Sequence, residues 1–249
     1  MWLALESSCD ESALALMSKQ GELLGEWIHS QVDRHAEYGG VVPDLAVGEH
    51  LNNFVPLLKL ASEEFDLPKM VTSIAVTLPG LVNSEQGIVL QMPHYNVKNL
   101  ALGPEIYKET GLPVFIANDT RAWALAEKLF GHSQDNDNSV LISIHHGVGA
   151  GIILDGRVLQ GRHGNIGELG HIQIEKEGKL CHCGNRGCLE TVASSQAIRE
   201  QVKERLANGE ESTLTVFEDV TIEQICAAAA AGDPPVSYTH LTLPTTMLV

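Results

Sequence analysis

Three thiols and an imidazole lie close together in this chain. The run Cys181-His182-Cys183-Gly184-Asn185-Arg186-Gly187-Cys188-Leu189-Glu190 follows His171, which closes the string GELGH. Zinc takes four soft or borderline ligands tetrahedrally, and a Cys₃His set of His171, Cys181, Cys183 and Cys188 suits a closed structural site. Gly184 and Gly187 let the backbone curl back on the ion at little steric cost. The competing readings, three packed cysteines or a disulfide, are weaker for closely spaced thiols beside a histidine in a chain that reads as intracellular. Cys9 and Cys226 lie far from the run and read as buried thiols.

Three further places can carry chemistry. Asn118-Asp119 sits where a strand gives way to a helix, a usual position for a catalytic or sugar-binding carboxylate in an α/β sheet. Asp119 can equally cap that helix. Gly147-Val148-Gly149-Ala150-Gly151 can bring backbone amides to a phosphate through Gly147, Gly149 and Gly151, and a ligand-free hairpin turn produces the same string. Glu168, His171 and Glu190 bracket the proposed metal loop and can hold the hydroxyls of a sugar. For the two glutamates, solvated surface charge is the plainer role.

The elements that position these residues alternate between strand and helix. Trp2–Ser7 and Ala13–Met17 read as strands joined by a polar turn. Leu51, Phe54, Val55, Leu58 and Phe65 fall on one helical face. Strands are predicted at 73–77, 87–91, 114–117, 140–144 and 150–154, with helices at 103–110 and 120–130. Trp123, Ala126, Leu129 and Phe130 form the apolar stripe of the last helix. This mixture of hairpins and helical crossovers indicates an α/β fold.

Composition narrows the classes. The 249 residues are 44% hydrophobic, enough for a sizeable core, and no apolar run approaches a membrane span. A start without a basic region or cleavage site reads as cytoplasmic. Sixteen Lys and Arg against 32 Asp and Glu give a formal charge of -16, which repels polyanions, so direct nucleic-acid binding is not expected.

From about Val71 to Asp233 the chain resembles the ROK family of repressors, open reading frames and sugar kinases, most nearly its Mlc- and NagC-type regulators. The strings that carry the resemblance are IAVTLPGLVNSEQGIVLQMPHYNV, FIANDTRAWALAEKLFG, HHGVGAGIILDGRVLQGRHGNIGELGHIQI and CHCGNRGCLETVASSQAI. It implies the two-lobed actin-like ATPase (ribonuclease H-like) fold and a structural Zn²⁺ on His171, Cys181, Cys183 and Cys188. It also implies a sugar-facing set of Asn118, Asp119, Glu168, His171 and Glu190. In a kinase, Asp119 would be the general base that deprotonates the acceptor hydroxyl, with ATP and Mg²⁺ as cofactors. A homo-oligomer and a phosphotransferase-system partner follow from the regulator resemblance.

Residues 1–67 resemble a different family, the tRNA threonylcarbamoyladenosine transferases (TsaD), through LALESSCDESALAL, GELLGEWIHSQVDRHAEYGGVVPDLA and EHLNNFVPLL. The kinase-type DxGGT loop, the regulator's helix-turn-helix and the transferase's metal-binding HxxxH pair are not found. The expected layout is an N-terminal lobe over 1–117, TsaD-like to 67 and ROK-like from 71, followed by a second lobe over 118–233 that holds the zinc loop. Residues 234–249 match neither family, which reads as a C-terminally truncated fold with a non-native tail. The expected function is the effector and oligomerisation region of a sugar-responsive regulator. The alternatives are a ROK hexose kinase acting on glucose or N-acetylglucosamine and, third, TsaD-like threonylcarbamoyl transfer to tRNA.

Overall fold

A computed structural model describes residues 1–8, 11–31, 34–35, 42–92, 95–161, 164–216 and 220–237. Cys9 and most of the tail after 233 lie outside the described residues. Two compact units emerge, one of 1–142 with 150–168 and the other of 143–149 with 169–249.

The first unit is built on a five-stranded sheet ordered β3-β2-β1-β4-β8. Its strands are β1 (Trp2–Ser7), β2 (Glu11–Met17), β3 (Leu23–Ser30), β4 (Ser73–Leu78) and, after the hairpin strands described below, β8 (Val114–Asn118). The hairpin pairs β1 with β2 antiparallel, whereas β4 lies parallel to both β1 and β8. Alternation dictates the buried face: Ser12, Leu14 and Leu16 point inward from β2, and Ile74, Val76 and Leu78 from β4. Beside it, β5 (Leu81–Asn83), β6 (Ile88–Met92) and β7 (Val97–Leu100) form a second, antiparallel sheet. Val82 and Val89 from that sheet join the same core as Leu3, Leu16 and Ile116.

Helix α1 (Pro43–Glu64) packs on this unit by a face other than the one its hydrophobic residues suggest. Ala46, His50, Leu57 and Ala61 are buried, while Leu51 is 73% and Val55 55% exposed. The reason is a polar contact. His50 Nδ1 sits 2.6 Å from the buried Ser12 Oγ, and His50 Nε2 lies 2.8 Å from the Ser8 carbonyl oxygen. Burying those partners requires the histidine to face inward, and small alanines let the helix approach. Leu51, Val55 and Leu60 are turned outward as a result, while Leu57 stays buried and Leu58 and Phe65 pack against the core.

Helix α2 (Leu102–Thr110) precedes β8, and α3 (Asp119–Phe130) follows it directly. In α3 the expected stripe of Trp123, Ala126, Leu129 and Phe130 is exposed, and the buried positions are Arg121 and Ala124. Close approach explains the rotation. A Cβ added to Gly151 would collide with Ala124 Cβ and the Thr120 carbonyl, so a bare glycine meets the helix there. Gly151 lies in β10 (Val148–Leu154), the middle strand of a three-stranded sheet with β9 (Ser139–Ile144) and β11 (Arg157–Val158).

The second unit contains α4 (Ser195–Ala207) and α5 (Ile222–Ala230) around Ile198, Val202, Leu214, Val220 and Ile225. Ser194 caps α4 through the Ala197 N–H at 3.2 Å, and Thr221 with Gln224 forms a capping box on α5. Cys226 is exposed rather than buried, because Ile225 and Ala228 take the inward face of α5 and the next residue turns away by one helical step. Among the described residues no helix is long and apolar enough to cross a membrane.

The rotated face of α1 gives a direct test. Leu57→Ala will cost about 2–5 kcal/mol, whereas Leu51→Ala will change stability by less than about 0.5 kcal/mol. Urea denaturation measures both, and equal losses would contradict the packing described.

Candidate metal centre and polar clamp

In the second unit a single turn of 3₁₀ helix, Leu169–His171, delivers the imidazole, and two isolated β-bridges frame the cysteines. These bridges pair Gln173 with Cys188 and Leu180 with Arg186. The Gly184 N–H donates to the Cys181 carbonyl at 2.9 Å and the Cys181 N–H to the Asn185 carbonyl at 2.8 Å, closing a tight loop around Cys183. Gly184 has φ +93° and Gly187 φ +67°, and a Cβ on Gly187 would strike the Glu175 carbonyl. Both glycines are therefore demanded by the backbone.

One ligand atom from each of His171, Cys181, Cys183 and Cys188 lies within 4.8 Å of all the others. Cys183 Sγ and Cys188 Sγ are 3.7 Å apart, and Cys181 Sγ is 3.6 Å from His171 Nδ1. A tetrahedral ion with metal–sulfur bonds of about 2.3 Å separates its sulfurs by about 3.8 Å. The spacing fits such an ion, and it is far too long for a disulfide, whose sulfurs lie about 2 Å apart. Burial pushes the Cys181 thiol up to about 12 and raises Cys188 as well, so these sulfurs stay protonated until a cation compensates the charge. The four side chains can hold one metal ion.

Glu190 stands next to this cluster. Its Oε1 is 3.9 Å from Cys181 Sγ, and its Oε2 accepts from the Val148 backbone N–H at 3.0 Å. The turn at Gly147–Gly149 therefore already has a carboxylate on one of its amides. A side chain on Gly147 would press on that carboxylate, and Gly151 serves the α3 contact described above.

In the first unit Asn118, not Asp119, caps α3. Asn118 Oδ1 accepts from the Arg121 N–H at 3.1 Å while its Nδ2 donates to the Gly80 carbonyl at 3.2 Å. Asp119 is left with its neighbour, accepting from the Thr120 N–H at 2.7 Å and lying 3.4 Å from Thr120 Oγ1. Burial pushes its carboxyl above the usual carboxylate range, partly offset by the hydrogen bonds from Thr120. A carboxylate with a raised pKa is suited to accept a proton.

Sequence reasoning passed over Arg121. The side chain is 6% exposed. Its Nε and Nη2 donate to the Ile166 carbonyl at 3.2 and 2.9 Å, Nη2 also donates to the Gly164 carbonyl, and Glu168 Oε1 lies 3.8 Å away. Burial lowers the guanidinium pKa, and the charges of Glu168 and Asp119 oppose that shift. The apolar periodicity of the helix gave no signal for it, since the predicted stripe is exposed and Arg121 is buried. Beside Arg121 lies a cavity of about 210 Å³ lined also by Val82, Asn83, Glu85, Gln160 and Gly161. Of the expected sugar set, Asn118, Asp119 and Glu168 belong to the first unit, whereas His171 and Glu190 belong to the second.

Comparison with known proteins places this geometry in a class. The model of the ROK family matches residues 42–238, and the chain belongs to that family. The matched range starts inside the segment that reads as TsaD-like. The DNA-binding transcriptional dual regulator NagC of Escherichia coli (strain K12) is 47% identical over 161 residues, which cover 65% of this chain and 39% of that protein. A crystal structure of a ROK family transcriptional regulator, a homolog of the E. coli MLC protein, aligns over 94% of this chain and 57% of its own, with TM-score 0.73 and 61% identity. A ROK family glucokinase from Streptomyces griseus, in complex with glucose and AMPPNP, aligns over 94% and 72% at TM-score 0.70 and 26% identity. The chain thus spans about two fifths of the curated regulator's length. Its fold is the actin-like ATPase fold of these regulators and kinases.

The raised Asp119 pKa sets a pH dependence. The folded state holds the Asp119 proton more tightly than the unfolded chain, whose carboxyl titrates near about 3.9. Stability from this group is complete below that unfolded value and is lost as pH rises through the higher folded value. Asp119→Asn will therefore raise the thermal midpoint at pH 7, and the gain will vanish on acidification. A midpoint lowered at pH 7 would contradict the burial effect.

Proposed function

We propose that this chain is the sugar-sensing region of a ROK regulator of the Mlc and NagC kind. In this reading a structural zinc ion is bound by His171, Cys181, Cys183 and Cys188 of the second unit, and a sugar by Asn118, Asp119 and Glu168 of the first. Zinc suits a closed site of three thiolates and an imidazole better than the hard divalent cations do. Cytoplasmic residence, self-association and docking of a phosphotransferase-system component belong to the same reading.

The observation that carries the regulator over the kinase is the Glu190 carboxylate on the Val148 amide at 3.0 Å. Phosphoryl transfer needs such turn amides for nucleotide phosphates, and an anion held there repels them. Sensing requires only the hydroxyl-binding side chains. The kinase reading is favoured by one feature, the buried Asp119 carboxyl with its raised pKa. Under that reading Asp119 removes the proton of the acceptor hydroxyl, and ATP with Mg²⁺ supplies the phosphoryl group.

Isothermal titration with N-acetylglucosamine and glucose, run alongside an ATP-coupled assay, separates the two. The regulator reading predicts binding of at least one sugar without ATP turnover, with affinity reduced roughly 10- to 100-fold by Glu168→Gln through the loss of a charged acceptor. Sugar-dependent ATP consumption abolished by Asp119→Asn would establish the kinase instead. Absence of binding to both sugars would contradict both readings.

A further inference from the structure

We propose that Arg121 is a positioning residue for sugar binding, holding residues 164–168 so that Glu168 is presented in one fixed orientation. The inference rests on the sugar-sensing reading above, and it concerns a residue outside the expected sugar set. Three features of the first unit support it.

The first is the donor pattern. One guanidinium donates to two backbone carbonyls of the same short segment, Gly164 and Ile166, and lies 3.8 Å from the carboxylate two residues further on. A planar fork can serve several acceptors at fixed angles, whereas an ammonium is a point donor on a flexible stem. With the side chain 6% exposed, water offers these carbonyls little replacement.

The second is the shape of the segment. Gly164 has φ +64° and Gly167 φ +90°; a Cβ on the first would strike the Val82 carbonyl, and on the second the Ala150 carbonyl. The Gly167 carbonyl accepts from the Ala150 N–H at 2.8 Å. The segment is thus seated between β5 and β10 at two glycines, which have no side chains to anchor it. Arg121 supplies the side-chain anchor.

The third is linkage. Arg121 stands two positions after Asp119 on α3, and its own N–H donates to the Asn118 cap. One residue therefore ties the helix start that bears Asp119 to the segment that bears Glu168. Arg121 also lines the cavity of about 210 Å³, together with Val82 and Asn83. Any hydroxyl-bearing ligand held by both carboxylates depends on their separation, which this clamp fixes within the unit.

Arg121→Met retains the apolar stem and removes the fork, and Arg121→Lys retains the charge. Both are compared with the unaltered chain by titration of N-acetylglucosamine and glucose, by hydrogen exchange of residues 164–168, and by thermal midpoint. The expected result is faster exchange at 164–168 and at least tenfold weaker sugar binding for Arg121→Met, with Arg121→Lys intermediate in both. A double-mutant cycle supplies a readout that a purely structural role would not move. Arg121→Met and Glu168→Gln will be strongly non-additive in sugar affinity, whereas Arg121→Met and Glu190→Gln will be additive. Affinity unchanged in Arg121→Met despite a lowered midpoint, or additivity with Glu168→Gln, would overturn the proposal. If the unaltered chain binds neither sugar, the sensing reading itself fails and takes this role with it. That failure shows before any variant is examined.

Discussion

The clustering of three thiols and one imidazole, a group that can hold one metal ion, is the constraint around which the loops of the second unit are arranged. Between Leu169 and Leu189 the regular structure amounts to one 3₁₀ turn and two isolated bridges. The apolar cluster of that unit begins only at Ile198. Such a segment gains little from burial, so the energy to order it has to come from another source. Three sulfurs and an imidazole are spaced so that one cation could supply it; structural zinc in small domains contributes on the order of 10–16 kcal/mol of apparent binding energy. Gly184 and Gly187 then allow the backbone to take the left-handed turns that closing around an ion requires. Glu190 carries the order onward, from beside Cys181 to the Val148 amide.

The first unit is held differently, by polar side chains buried against backbone. Asn118 joins the start of α3 to the Gly80 turn, His50 seats α1 on Ser12, and Arg121 gathers two carbonyls. Each of these groups would be costly if buried without partners, and each has partners that fix one orientation of the element carrying it. The helix faces are consequently set by where the hydrogen bonds are, with the apolar surface following. That is the physical reason Leu51, Val55, Trp123, Leu129 and Phe130 look outward in a chain whose core is otherwise conventional.

This division explains what was legible in the sequence. Strands β1, β2, β4 and β8 could be read because period-two alternation is a local property, as in Ser12, Leu14 and Leu16. The cysteine run and its glycines could be read because metal chemistry restricts residue type and spacing within a few positions. Helix faces could not be read from apolar periodicity alone, since His50 and Arg121 take inward positions for reasons that depend on Ser12 and Gly164, distant in the chain. Cys226 is exposed for a related reason: the usual burial of a thiol yields here to Ile225 and Ala228, which take the inward face of α5. Which of Asn118 and Asp119 caps the helix also had no local signal; the Asn118 side chain takes that place.

The most direct test of the account is metal analysis of the purified chain combined with X-ray absorption at the metal edge. The account predicts one zinc per chain in a shell of three sulfurs at about 2.3 Å and one nitrogen at about 2.0 Å. Chelation should then release residues 169–190 to rapid hydrogen exchange. A metal-free chain with those residues fully protected and its thiols reduced would contradict it.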